Sequence, residues 1–354
     1  MQGLKNQFTE ASMKNNTDDV VAISYEQLLS SHLSPGDVFF SLKKDTLKKV
    51  LSAGENVELS LVPKLYNKGI TNFFIKYKIN VENTELLSSI FQNYLNASNE
   101  EERLSLRLDF ISWYSKYFWK DSERDLKENC QLDLIHSLND AFLFLPDSIL
   151  NDLQDYDLKT YYRSFEVGAH LFSLALLFGH TDPMYLKELY NIALLFDYGL
   201  HKNNLSYHFL EATKAERLKP GQGIEHLKSN GCSQKDINFF CDHPQIGYNQ
   251  LENVLDENFV FYELGQLILI HQETAKGLGF PNKLAEQDLL LIECLVILCE
   301  KMIPHQEKSQ DSEKQPLLKK YIANLDDQNN HLYVPIKRLM GRMSDLLTNI
   351  KEAV

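Results

Sequence analysis

The chain lacks any run of eighteen apolar residues; its longest candidate, Leu289 to Leu298, is interrupted by Glu293, which excludes an obvious membrane-spanning helix. The segment Met1 to Asp19 is polar, rich in Asn and Lys and without an apolar core, so it reads as a disordered N-terminus rather than a signal peptide or anchor. Cysteine is sparse. The five present, Cys130, Cys232, Cys241, Cys294 and Cys299, form no C-x-x-C pair, and an odd count fits reduced thiols in a cytoplasmic protein better than a disulfide framework. Positive charge is in deficit: 36 Lys and Arg against 49 Asp and Glu leave a formal charge of -13, which argues against binding a nucleic-acid polymer through its phosphates. A small dinucleotide with two phosphates stays open as a ligand.

What is present is an ordinary globular composition, 44% hydrophobic and 24% charged over 354 residues, enough for two or three domains. Val20 to Ser24, Val38 to Leu42 and Thr71 to Ile75 read as strands, with a helix over Leu59 to Tyr66 ending near Gly69. We expect a small α/β module over residues 20–80, a helical connector over 81–155 and a helical domain over 156–354. The connector carries an aromatic stripe, Phe110, Trp113, Tyr114, Tyr117, Phe118 and Trp119, whose spacing suits a packed helix face. Asp182-Pro183 and Ser233-Gln234-Lys235-Asp236 are helix-start signals, the first ahead of a helix over Met184 to Phe196 and the second ahead of the helix that leads to His243. Pro304 should stop the helix bearing Glu300, with a mobile loop over His305 to Gln315 and a closing amphipathic helix over Leu332 to Val354.

The chemistry-bearing residues come in spaced fragments: Leu195-Phe196-Asp197-Tyr198-Gly199, then His243-Pro244 with Gly247, then His271-Gln272-Glu273 with Gly277 and Gly279-Phe280-Pro281, then Glu300 nineteen residues past Pro281. Over roughly residues 160–304 this composite resembles the HD-GYP branch of the HD metal-dependent phosphohydrolases, helical cyclic di-GMP phosphodiesterases with two or three metals. The resemblance implies an α+β chain, a small N-terminal α/β module followed by an all-α HD-type helical domain. It also implies a bacterial signalling role.

Several letters of that pattern are changed. Arg163 stands where the family has its first His, Phe196 replaces the His of the paired His-Asp, and Gln272 replaces the second of two adjacent His. Phe280 replaces the loop Tyr, Lys276 an acidic residue, and Glu300 the late Asp; the stretch from Asn203 to Lys219 has no family counterpart. The resemblance therefore implies vestigial catalytic positions at Asp197, His243, His271 and Glu300. Neither a binuclear centre nor a tightly bound cofactor is expected; a single weakly held divalent transition metal, iron or manganese, on Asp197, His243 and His271 is the alternative left open. Arg163, Lys202, Lys276, Gly279 and Phe280 are the candidate ligand contacts. Arg163 is expected to fork onto Asp197 with Glu300 nearby, because a guanidinium matches a carboxylate and keeps its charge when buried. His170, seven residues after Arg163, is read as a structural His, and Glu286 and Glu293 as helix-surface carboxylates. Function then divides between a non-catalytic protein that binds a cyclic dinucleotide or a protein partner, and a phosphodiesterase with an atypical metal site.

Overall fold

The computed structural model describes residues 20–29, 33–43, 46–55, 57, 60–119, 130–201 and 206–303, so Lys202, Pro304, the N-terminus 1–19, the loop 305–315 and the closing helix 332–354 lie outside the described residues. The chain is α+β and divides into two compact units, one within residues 1–84 and 128–136, the other within 85–127 and 137–354. No helix among the described residues is long and apolar enough to cross a membrane.

The first unit is built on a four-stranded antiparallel sheet, β1 Val21–Ile23, β2 Gly36–Lys43, β3 Thr46–Leu51 and β4 Phe73–Tyr77, in the order β1-β4-β2-β3. Helices α1 Tyr25–Leu29 and α2 Leu61–Tyr66 accompany it. Val38, Phe40, Phe73 and Ile75 alternate inward and close a core with Leu28, Leu51, Val57 and Val62. Strand β3 was not expected from the sequence. Its Lys48 and Lys49 are exposed on an edge strand, where charges are tolerated and discourage further pairing, so the apolar alternation that signals a strand is diluted.

The second unit is helical: within it or entering it run α3 Val81–Asn96, α4 Glu100–Phe118, α5 Cys130–Phe142, α6 Asp147–Tyr156, α7 Leu158–Leu177, α8 Pro183–Ala193, α9 Ser206–Leu218, α10 Gln222–Ser229, α11 Gln234–Asn258, α12 Tyr262–Gly265 and α13 Leu291–Met302. The start signals act as expected. Asp182 accepts from the Met184 and Tyr185 amides ahead of α8, and Ser233 and Asp236 form a capping box ahead of α11. Helix α13 ends at Met302, just before Pro304.

The aromatic stripe of α4 faces the core: Phe110, Trp113, Tyr114 and Phe118 are buried, and Phe91, Phe110, Phe142 and Phe172 pack with ring centroids 4.9 to 6.1 Å apart. His170 belongs to this core. Its Nδ1 lies 2.8 Å from the Tyr114 hydroxyl and its ring packs edge-on against Phe118, which makes it structural. Burial holds the His170 imidazole down to about 3. The unfolded chain therefore takes up the proton first as pH falls below the ordinary value of about 6.5, and stability is lost between there and about pH 3. We expect His170→Gln to flatten the fall of urea-unfolding free energy with pH over this window; an unchanged slope would show that His170 is not buried neutral.

Candidate functional site

Six side chains from separate parts of the second unit converge: Arg163 from α7, Asp197 after α8, Arg217 from the last turn of α9, His243 from α11, His271 after a short 3-10 turn (Gln266–Leu269), and Glu300 from α13. All six are buried.

Local chemistry aims each group. Pro244 sits inside α11 and has no amide hydrogen, so the Phe240 carbonyl four residues earlier lacks its usual helical donor. His243 Nδ1 lies 2.6 Å from that carbonyl, and His271 Nδ1 lies 2.7 Å from the Ile268 carbonyl. A carbonyl only accepts, so in both rings Nδ1 carries the hydrogen and Nε2 presents its lone pair to the site. Phe196 stacks on His271 at a centroid distance of 5.3 Å and an interplanar angle of 4°, holding that ring in place. Helix α8 was expected to continue to Phe196 but ends at Ala193; the chain turns there and carries Asp197 toward α11. A Cβ on Gly199 would lie 2.0 Å from the His243 carbonyl oxygen, so only glycine lets this turn cross α11 closely enough to bring Asp197 beside His243.

The result is a converging donor set. His243 Nε2 and His271 Nε2 are 3.1 Å apart, and Asp197 Oδ1 lies 3.7 and 3.5 Å from them. Burial depresses the His243 pKa to about 3, with His271 adding to the effect, so His243 is neutral at physiological pH. Asp197 Oδ1 is buried with no hydrogen-bond partner, and the ligand atoms of Asp197, His243 and His271 fall within 4.8 Å of one another. Facing lone pairs beside an unpartnered carboxylate oxygen are what a metal ion, or a shared proton, satisfies.

The other half of the site is saturated by arginines. Arg163 forks onto Glu300, Nη1 to Oε1 at 3.2 Å and Nη2 to Oε2 at 2.9 Å, and also donates to the Glu300 and Ile303 carbonyls at 2.6 and 2.8 Å. Arg217 bridges the two acids: Nη2 donates to Asp197 Oδ2, and Nε donates to Glu300 Oε2 at 3.1 Å. Burial alone raises the pKa of Asp197, but Arg217, then His271 and His243, overcome it and hold the carboxyl well below its usual value. Glu300 behaves likewise: burial raises it, Arg163 and Arg217 bring it down below the ordinary range. Two buried carboxylates thus meet two guanidiniums with no net charge left over.

Asp197, His243, His271 and Glu300, all singled out from the sequence, are therefore brought together. The expected Arg163–Asp197 fork needs correction: Arg163 is spent on Glu300, and the partner of Asp197 is Arg217, which the sequence reading passed over. Its signal was present. Phe209, Thr213 and Arg217 follow one another at four-residue spacing on the buried face of α9, within the stretch 203–219 that has no family counterpart.

Of the remaining candidate contacts among the described residues, Phe280 borders the site through His243 and Lys276 does not join the buried cluster. Lys276 is exposed, while Phe280 is buried against Phe240 and His243 in an apolar cluster with Leu200 and Phe209. Gly279 is buried, and a Cβ there would meet the Gln272 carbonyl oxygen at 2.3 Å, so its role is close backbone packing. Gln272 is buried with neither amide atom hydrogen-bonded. His201 lies 3.7 Å from Asp152, and Glu293 caps the start of α13 through the Leu290 amide at 2.6 Å, a structural role.

No protein-family model and no curated protein matches the chain. A solved structure described as Bd1817, a HDG"Y"P protein from Bdellovibrio bacteriovorus, is similar over 88% of this chain and 100% of its own, at 18% identity and a TM-score of 0.35. That neighbour carries the family name that the motifs here resemble. At so low a TM-score the likeness carries no functional argument, which has to come from the site's own residues.

Arg163→Ala should destabilise the chain by about 3 kcal/mol or more in urea unfolding, because it removes the bidentate partner of a buried carboxylate. A cost below about 1 kcal/mol, the range of exposed pairs, would show that the pair is not the buried clamp described.

Proposed function

We propose that this chain is an HD-GYP-like signalling protein that does not hydrolyse cyclic di-GMP and that acts, in the cytoplasm, by presenting a surface to a protein partner. One observation carries the reading: Asp197, the position that bridges metals in the family pattern, has its second oxygen held by Arg217. A buried guanidinium on that oxygen sets a fixed positive charge beside the carboxylate, which opposes the second of two metals that would share it. The other positions of a binuclear site hold Arg163, Phe196 and Gln272, none of which replaces an imidazole as a ligand.

The donor set of Asp197 Oδ1, His243 Nε2 and His271 Nε2 does fit one divalent transition metal, since two imidazole nitrogens with one carboxylate oxygen suit iron or manganese. Such an ion, when bound, would polarise a phosphoryl oxygen. The chain's own residues add little to hydrolysis: Phe280 cannot donate a hydrogen bond, and Arg163 is committed to Glu300 and to backbone carbonyls. Arg163 and Arg217 are both spent on buried carboxylates and Lys276 is exposed, which favours a protein partner over the dinucleotide as ligand. The second reading, a phosphodiesterase running on a single metal, rests on the Asp197–His243–His271 triad.

Incubation with cyclic di-GMP and added manganese or ferrous iron, followed by chromatography of the products, separates the two. No turnover is expected; turnover in the ordinary enzyme range, about 1 per second or faster, would establish the second reading.

A further inference from the structure

We infer that Arg217 is a tethered cation that competes with a divalent metal for Asp197, and that the α9–α10 segment exists in part to hold it there. The inference rests on the triad of Asp197, His243 and His271 being able to take one metal, and it assigns to this chain's own residues the reason that the metal is held weakly.

A metal at the two Nε2 atoms needs the carboxylate of Asp197 as its anionic ligand. Arg217 is already on that carboxylate, through Oδ2, and is fully buried with it. The guanidinium withdraws negative charge from Asp197 and places a fixed positive charge within one carboxylate's width of the position where a divalent ion would sit. Both effects act against the metal, and low local dielectric strengthens them.

Arg217 is not free to swing away. Its other contact, Nε on Glu300 Oε2 at 3.1 Å, ties it to α13, where Arg163 holds Glu300 from the opposite side. The backbone that carries it is fixed too. The carboxylate of the preceding residue, Glu216, accepts from the Gly221 amide at 2.8 Å and the Gly223 amide at 3.0 Å, closing the turn from α9 into α10. Gly221 is in the left-handed region at φ 85°, and a Cβ on Gly223 would lie 2.5 Å from the Ala212 carbonyl oxygen, so α10 packs back on α9 with no slack at that point. Buried Lys301 reaches the Glu216 carbonyl at 3.5 Å and adds a further tie from α13. A charge placed this firmly cannot relax when a metal arrives, so its repulsion persists in the bound state.

The predicted consequence is a gain of affinity on mutation, the reverse of what loss of a supporting residue ordinarily does. Isothermal titration with manganese chloride and zinc chloride on the full chain, after chelator treatment and desalting, is the measurement. Arg217→Gln should bind either ion tighter than the unmodified chain by about tenfold or more, the size expected when one nearby buried charge is removed. Because Arg217→Gln changes the net charge of the buried cluster, Arg217→Gln combined with Glu300→Gln is the companion variant; it removes one cation and one anion together and keeps that net charge unchanged. It should show the same gain. His271→Ala should abolish binding in either background, which places the ion on the triad. Equal or weaker binding by the folded Arg217 variants, with His271→Ala still abolishing it, would overturn the role of Arg217 and leave the triad standing. Absence of binding by every variant at millimolar metal would overturn the metal-site reading itself.

Discussion

The second unit depends on one chain of charges, Arg163 to Glu300 to Arg217 to Asp197, buried where α7, α9 and α13 meet the turn after α8. An ionised carboxylate is costly to bury unless its charge is opposed and its lone pairs are filled. Here each acid has a guanidinium partner, and Arg217 touches both acids. The forked geometry matters as much as the charge, because a planar guanidinium satisfies two acceptors at once and stays protonated when desolvated. In the HD-GYP pattern that these motifs resemble, metal ions would supply this compensation; in this chain two arginines do so from within the fold.

The opposite side of Asp197 has a different character. Two imidazoles, each with its Nδ1 hydrogen engaged by a backbone carbonyl, turn their Nε2 atoms toward Oδ1. One carboxylate thus divides two regimes, an arginine-saturated side through Oδ2 and a ligand-like side through Oδ1. The His-Pro step in α11 and the glycine crossing at Gly199 are what make this division possible, since one frees the carbonyl that orients His243 and the other lets Asp197 approach. Both are backbone devices, and neither requires a metal to form.

Much of this was legible in the sequence, and the parts that were not share a cause. Asp197, His243, His271 and Glu300 could be picked out because the fragments that carry them resemble the HD-GYP pattern in composition and spacing. The caps at Asp182 and Ser233 were legible because capping is local. Strand β3 was missed because an exposed edge strand carries lysines and loses its alternation, and α8 ran shorter than expected because a tertiary crossing, not helix propensity, ends it. Arg217 was missed, and Arg163 given the wrong acid, because partner choice among buried charges is a long-range matter: the Arg217–Asp197 pair spans 20 residues and the Arg163–Glu300 pair 137.

The central claim is that arginines have taken over the compensating role of metal ions, so that the fold needs none. The direct measurement is thermal unfolding of the full chain before and after exhaustive treatment with a strong chelator. The account predicts the same midpoint within about 1 °C, since nothing holding the buried acids is removed. A fall of more than about 4 °C, corresponding to a loss on the order of 1 kcal/mol or more for a protein of this size, would contradict it by showing that a bound metal, and not Arg163 and Arg217, carries the charge balance of the site.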